Sequence, residues 1–117
     1  MGLDMFAFSR SEDSDERNEL AYWRKHNRLH GWMENLYREK GGTDEFNCVE
    51  VELTLEDLDR LENTINDEDL PETHGFFFGT DSYEEYEEWY KETDVEFIKK
   101  ARAAILNGEK VFYDSWW

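Results

Sequence analysis

The residues best equipped for chemistry lie between Glu19 and Met33, where Trp23, Arg24, Lys25, His26, Asn27, Arg28, His30 and Trp32 follow one another in an otherwise acidic chain. His26 and His30 are four positions apart. On one helix that spacing lets two imidazoles reach a common metal ion. The residue after His26 is Asn27, however, so the general-base Glu of an HExxH zinc motif is missing and no metal site is expected. His30 fits better as a buried, hydrogen-bonded core histidine. Together with Asn27 it implies a polar network whose buried groups all need partners. Asp4, an unusual residue inside an apolar opening segment, is a candidate partner. A polar site built from Asp4, Arg24, Lys25, Asn27, His30 and Ser115 would have a defined chemistry. His30 would act as acid or base, Asp4 would orient it, and Arg24 or Lys25 would clamp an anion.

A second stretch, Thr73 to Thr80, brackets three phenylalanines between Gly75 and Gly79. It reads either as a loop that plugs the core and turns on glycine, or as a rim (Gly75, Phe77, Gly79) whose backbone approaches a ligand. The glycine spacing and the lack of a following Lys exclude a phosphate-binding loop. Cys48 has no neighbouring base and reads as a small buried side chain. The acidic run between residues 9 and 18 lacks the Gly and the terminal Glu of a calcium loop. No cofactor motif is present.

These residues must be positioned by a few elements. Residues 3–8 read as a strand, with Asp4 at an exposed edge. Residues 9–18 read as a loop. Residues 18–40 read as one helix: Asn18 caps it, Leu20, Trp23, Asn27 and His30 share a face, Leu29, Met33, Leu36 and Tyr37 form an adjoining core stripe, and Gly41-Gly42 stops it. Residues 46–53 alternate as a strand. Thr54 and Asp57 make a near capping box ahead of a second helix, with Leu55, Leu58, Leu61 and Ile65 on one side. Leu70-Pro71 breaks the chain. Residues 82–107 read as one long helix or two short ones, with Thr93-Asp94 as the possible interruption. Asn107-Gly108 is a helix stop or a hairpin turn. Val111–Tyr113 form a last strand, and the apolar Trp116-Trp117 tail is expected to dock. The fold class is therefore α+β. It is a small single domain spanning 1–117, a short three-stranded, mainly antiparallel sheet packed by about three helices in the order β-α-β-α-α-β.

Composition narrows the partners. The 117 residues carry a net charge of −17, with 38% hydrophobic and 16% aromatic residues. The aromatic content supports a packed core despite the charge. Such acidity argues against nucleic-acid backbones and anionic membranes, which need clustered Lys and Arg. It leaves a solubilising surface, adaptation to a saline interior, or a face that docks on a basic protein. The lone cysteine suits a reducing cytoplasm. No signal peptide is expected, and no run approaches the roughly 18 apolar residues of a membrane helix.

The residues also carry a resemblance. Met1 to Phe6, Glu19 to Asn27, His30-Gly31-Trp32, Leu70-Pro71 with Gly75 to Gly79, and Ser115-Trp116 resemble a family of small uncharacterised phage and bacterial proteins. Its members read MGLDMY, YWRKxNxIHxW, LPTxSGFFFGST and a closing SSW. Asp4, Tyr22, Trp23, Arg24, Lys25, Asn27, His30, Trp32, Gly75, Phe77, Gly79, Ser115 and Trp116 match that pattern. His26, His74 and Phe6 depart from it, standing where Ala, Ser and Tyr are usual. Some members carry the label phosphoglycerate kinase. That enzyme is a two-domain protein several times longer, and none of its nucleotide or sugar-acid sites can be located here. The resemblance implies provenance: a phage-type accessory protein working in a host cytoplasm. Two function classes follow. One is a non-catalytic interaction module that meets a host or phage protein with a basic surface. The alternative is a small-molecule or anion-binding protein, or an enzyme, using a pocket between helix 18–40 and the 73–80 loop.

Overall fold

A computed structural model describes residues 4–11, 16–24, 26–46, 49–67, 70 and 90–116, with Asn27 described in its backbone alone. Lys25, Cys48, the 73–80 loop with Gly75, Phe77 and Gly79, residues 82–89 of the expected third helix, and Trp117 lie outside the described residues.

The described elements are strand β1 (Asp4–Arg10), strand β2 (Asn18–Arg24), helix α1 (Asn27–Glu39), strand β3 (Val51–Leu53), helix α2 (Leu55–Asn66), helix α3 (Lys91–Leu106) and strand β4 (Lys110–Trp116). The class is α+β, as the sequence implies. The sheet has four strands rather than three, ordered β2-β1-β4-β3, and every pairing is antiparallel.

The extra strand comes from a correction to the expected first helix. Residues 18–24 are extended and pair with β1, and the helix begins only at Asn27. The three-and-four stepping of Leu20, Trp23, Asn27 and His30 mimics a helical face. It is overridden because Tyr22 and Trp23, good strand formers, meet Phe6 and Met5 across the ladder. Asn18 thus opens a strand instead of capping a helix. Ala7 faces Ala21 while Phe8 faces Glu19, so Leu20 is an extra residue in a bulge. Asp4 is likewise not on an edge. β1 lies inside the sheet, with Arg24 on one side of Asp4 and Trp116 on the other.

Helix α1 buries Leu29, Met33, Leu36 and Tyr37 as their spacing predicts. It ends in a Schellman motif. Gly42 N–H donates to Tyr37 O at 2.9 Å and Gly41 N–H to Arg38 O at 3.0 Å, with Gly41 at φ 95°. The same motif stops α3: Gly108 N–H donates to Ile105 O at 3.0 Å, Glu109 N–H to Ala104 O at 3.0 Å, and φ is 91° at Gly108. Asn107-Gly108 is therefore a helix stop. The capping box of α2 is complete, with Asp57 N–H donating to Thr54 Oγ1 at 3.2 Å and Thr54 N–H to Asp57 Oδ2 at 2.9 Å. Lys40, just past α1, donates to Asp57 Oδ2 at 2.6 Å and to Glu52 O at 2.6 Å, tying α1, α2 and β3 together. Leu58, Leu61 and Ile65 are buried, but Leu55 at the first position of α2 is exposed. Helix α3 runs through Thr93-Asp94 without a break and buries Phe97, Ile98 and Ala101, while Val95 faces outwards. Of the expected strand over 46–53, the described residues are extended in the sheet at Val51–Leu53, and Phe46 packs its ring against Tyr37, His30 and Tyr113.

Candidate functional site

Strand alternation gives the sheet two faces of different chemistry. The inner face carries Met5, Ala7, Trp23, Val111, Tyr113, Val51 and Leu53, all buried in one core with α1, α2 and α3. Among the described residues, two polar networks sit inside it. In the first, Trp23 Nε1–H donates to Asp94 Oδ1 at 2.7 Å, and His26 Nε2 lies 2.8 Å from Asp94 Oδ2. The His26 ring stacks on Tyr90 at 4.3 Å, and Tyr90 Oη–H donates to the Arg24 carbonyl at 3.1 Å. Asp94 and His26 are 0% and 1% exposed, so this pair staples α3 to the end of β2 and offers no approach to a solute. In the second, His30 Nδ1 shares a 2.8 Å hydrogen bond with the Tyr113 hydroxyl. Burial lowers the His30 imidazole from 6.5 to about 4 and pushes the Tyr113 phenol well above its usual value. Both are therefore neutral at physiological pH, as a buried structural pair should be.

The sequence-derived polar residues divide between the two faces. His30 and Ser115 are buried on the inner side, whereas Asp4 and Arg24 lie on the outer side, 4.0 Å apart. His30 is paired with Tyr113 and Asp4 with Tyr22, so Asp4 does not orient His30. His26 and His30 likewise turn to different partners, and no group of His, Cys, Asp or Glu suited to a metal occurs among the described residues. Arg28 is buried and donates to the Leu70 carbonyl at 2.7 Å.

The outer face is built in rows that the register defines. Across β2, β1 and β4 they read Arg24–Asp4–Trp116, then Tyr22–Phe6–Asp114, then Glu19–Phe8–Phe112, with Glu52 of β3 beyond. Every row mixes aromatic rings with carboxylates. At one end the mixture is closed by the chain's own arginines. Phe8 and Phe112 stack at 5.5 Å. Arg17 lies 4.1 Å over Phe8 and Arg10 lies 4.6 Å over Phe112. Both guanidinium groups bond Glu50, Arg17 at 2.8 Å and Arg10 at 3.4 Å, and Arg17 also stands 3.9 Å from Asp114. This layering buries Phe8 although it sits on the outer face.

At the other end the mixture is open. Phe6 and Tyr22 pack at 5.3 Å, and Tyr22 Oη–H donates to Asp4 Oδ1 at 2.7 Å. That bond to Asp4 raises the Tyr22 phenol above its normal value. Burial raises the Asp114 carboxyl, against the Ser115 amide bond and the Arg17 charge that favour its ionised form. Tyr22 is 47% and Trp116 64% exposed. The expectation that the terminal tryptophans dock is thus corrected for Trp116, because it falls on the outward register of β4.

Comparison with family models, curated proteins and solved structures found no match. Among the described residues, no helix is long and apolar enough to cross a membrane. Sequence reasoning missed both Asp94 and the outer rows. The rows had a signal: Phe6, Phe8, Phe112, Asp114 and Trp116 all fall on alternate positions of two strands. Asp94 had none, since an acidic residue in the first turn of a helix is ordinary.

Proposed function

We propose that this chain is a non-catalytic interaction module, an accessory protein of phage type, that docks on a basic surface of a host or phage protein through the outer face of its sheet. The observation that carries this reading is the open aromatic and acidic end of that face, Phe6, Tyr22 and Trp116 beside Asp4 and Asp114. Large exposed rings next to carboxylates suit protein recognition, where aromatics act as anchors and charge sets the choice of partner. The net charge of −17 favours a cationic partner and disfavours nucleic acid and anionic lipid. The lone cysteine and the resemblance to phage proteins support a working place in the host cytoplasm. Among the described residues, His30 and Ser115 are closed into the core and Asp4 and Arg24 lie apart from them, which supports binding over turnover.

The test is affinity capture from host lysate with the wild-type chain and with a Tyr22→Ala, Trp116→Ala double variant. Basic proteins retained by the wild type and lost by the variant are expected. Equal capture by both, or capture of no basic protein, overturns the reading.

A further inference from the structure

Resting on that reading, we infer that the open end of the outer face is an arginine-binding subsite, which accepts the guanidinium group of an extended, basic partner segment between Trp116 and the Phe6–Tyr22 pair. The protein already shows what this surface composition holds. At the closed end, two guanidinium groups lie over Phe8 and Phe112 and bond Glu50, with Asp114 beside Arg17. The open end repeats the ingredients, two packed rings and a carboxylate, and adds an indole. The chain's own candidate cation there, Arg24, is poorly engaged. Its Nε stands 4.0 Å from Asp4, and its side chain is 67% exposed.

The register supplies the space. Phe6 faces Asp114, so Trp116 is its diagonal neighbour across the β1–β4 ladder. Diagonal neighbours on one face of an antiparallel pair have backbones about 7–8 Å apart, so large side chains at both positions can close on one flat group from two sides. A planar guanidinium in that slot can lie flat against both rings and present paired donors to a carboxylate, whereas an ammonium meets a ring only as a compact point charge. Two carboxylates flank the slot, Asp4 opposite Trp116 and Asp114 opposite Phe6. Tyr22 occupies one oxygen of Asp4, and the Ser115 amide occupies one of Asp114 at 2.8 Å. Each therefore keeps an oxygen for a cation, although Arg17 stands 3.9 Å from that of Asp114.

The test titrates the full chain at low salt with two unstructured peptides that alternate glycine with either arginine or lysine. Binding is followed by the NMR shift of the Trp116 indole N–H, assigned through Trp116→Phe. The arginine peptide is expected to bind at least about fivefold tighter than the lysine peptide. Tyr22→Ala and Asp4→Asn should each weaken the arginine peptide by about three- to tenfold and erase the preference. Neither substitution is at a buried position, and circular dichroism verifies the fold. If the two peptides bind equally and both lose affinity in Tyr22→Ala, the face docks cations without selecting arginine: this inference falls and the docking reading stands. If binding is indifferent to Tyr22 and Asp4, or no shift occurs at Trp116, both fall.

Discussion

At the residue scale, the buried polar groups decide how stability responds to pH and substitution. Burial depresses the His30 imidazole from 6.5 to about 4, so the unfolded chain takes up this proton more readily than the folded one. The associated stability is fully present above pH 6.5, declines as pH falls from about 6.5 to about 4, and is then constant. At 1.36 kcal/mol per unit the total is about 3 kcal/mol. His30→Gln keeps a polar contact for Tyr113 but cannot titrate. Urea unfolding across that window should show a visibly flatter pH dependence for the variant than for the wild type, and an unchanged slope would assign the titration elsewhere. Asp57 reinforces the acid sensitivity. Burial raises its carboxyl, but the bonds from Lys40 and Thr54 outweigh burial and leave it below normal, so its contribution is lost as acid protonates it. Substitution is most costly at Asp94. Asp94→Ala removes the acceptor for Trp23 and the partner of His26 inside the core. A loss of about 2–4 kcal/mol is expected by denaturant unfolding, since the Trp23 indole N–H and the His26 ring each lose a buried hydrogen-bond partner.

At the element scale, legibility in the sequence followed the range of the forces. Local signals read true. Thr54 and Asp57 close their capping box, Gly41-Gly42 ends α1, and the Leu29, Met33, Leu36, Tyr37 stripe is buried. Thr54→Ala should therefore cost about 1 kcal/mol, measured by thermal or urea unfolding. Gly42→Ala should cost more than Gly41→Ala, because a Cβ at 42 meets the Tyr37 ring whereas one at 41 meets nothing. Gly41 still has a positive φ, so its substitution carries only the backbone strain, about 1 kcal/mol. Non-local signals misled. Residues 18–24 have the composition and spacing of a helical face, and only pairing with β1 makes them a strand. With them went the common site. Asp4 and Arg24 were separated from His30 and Ser115 by the thickness of a sheet, since one residue's shift along a strand changes the face.

At the scale of the whole molecule, division of labour between the sheet faces is the main result. Helices and the two buried networks take the inner face, and aromatic rows with carboxylates take the outer one. The charge of −17 acts on both stability and binding. Adding salt screens the self-repulsion of the folded chain, so its melting temperature should rise between low and moderate ionic strength. Association with a cationic partner should weaken over the same range, because the same screening removes the attraction. Opposite signs in these two salt series, read by calorimetry and by titration, are the signature of a charge-steered surface. The composition alone fits a solubilising surface, a saline interior or a face for a basic partner. Under the proposed docking, it also leaves open where a basic partner would sit, because the outer rows exist only once β2 has paired.

Hydroxyl-radical footprinting in the presence of a captured basic partner tests that placement most directly. Tyr22 and Trp116 mark the outer face, and Val95 and Leu106, 38% and 77% exposed, mark the helical side. Binding should reduce oxidation of Tyr22 and Trp116 several-fold and leave Val95 and Leu106 unchanged. Protection of Val95 and Leu106 with Tyr22 and Trp116 still reactive would contradict docking through the sheet.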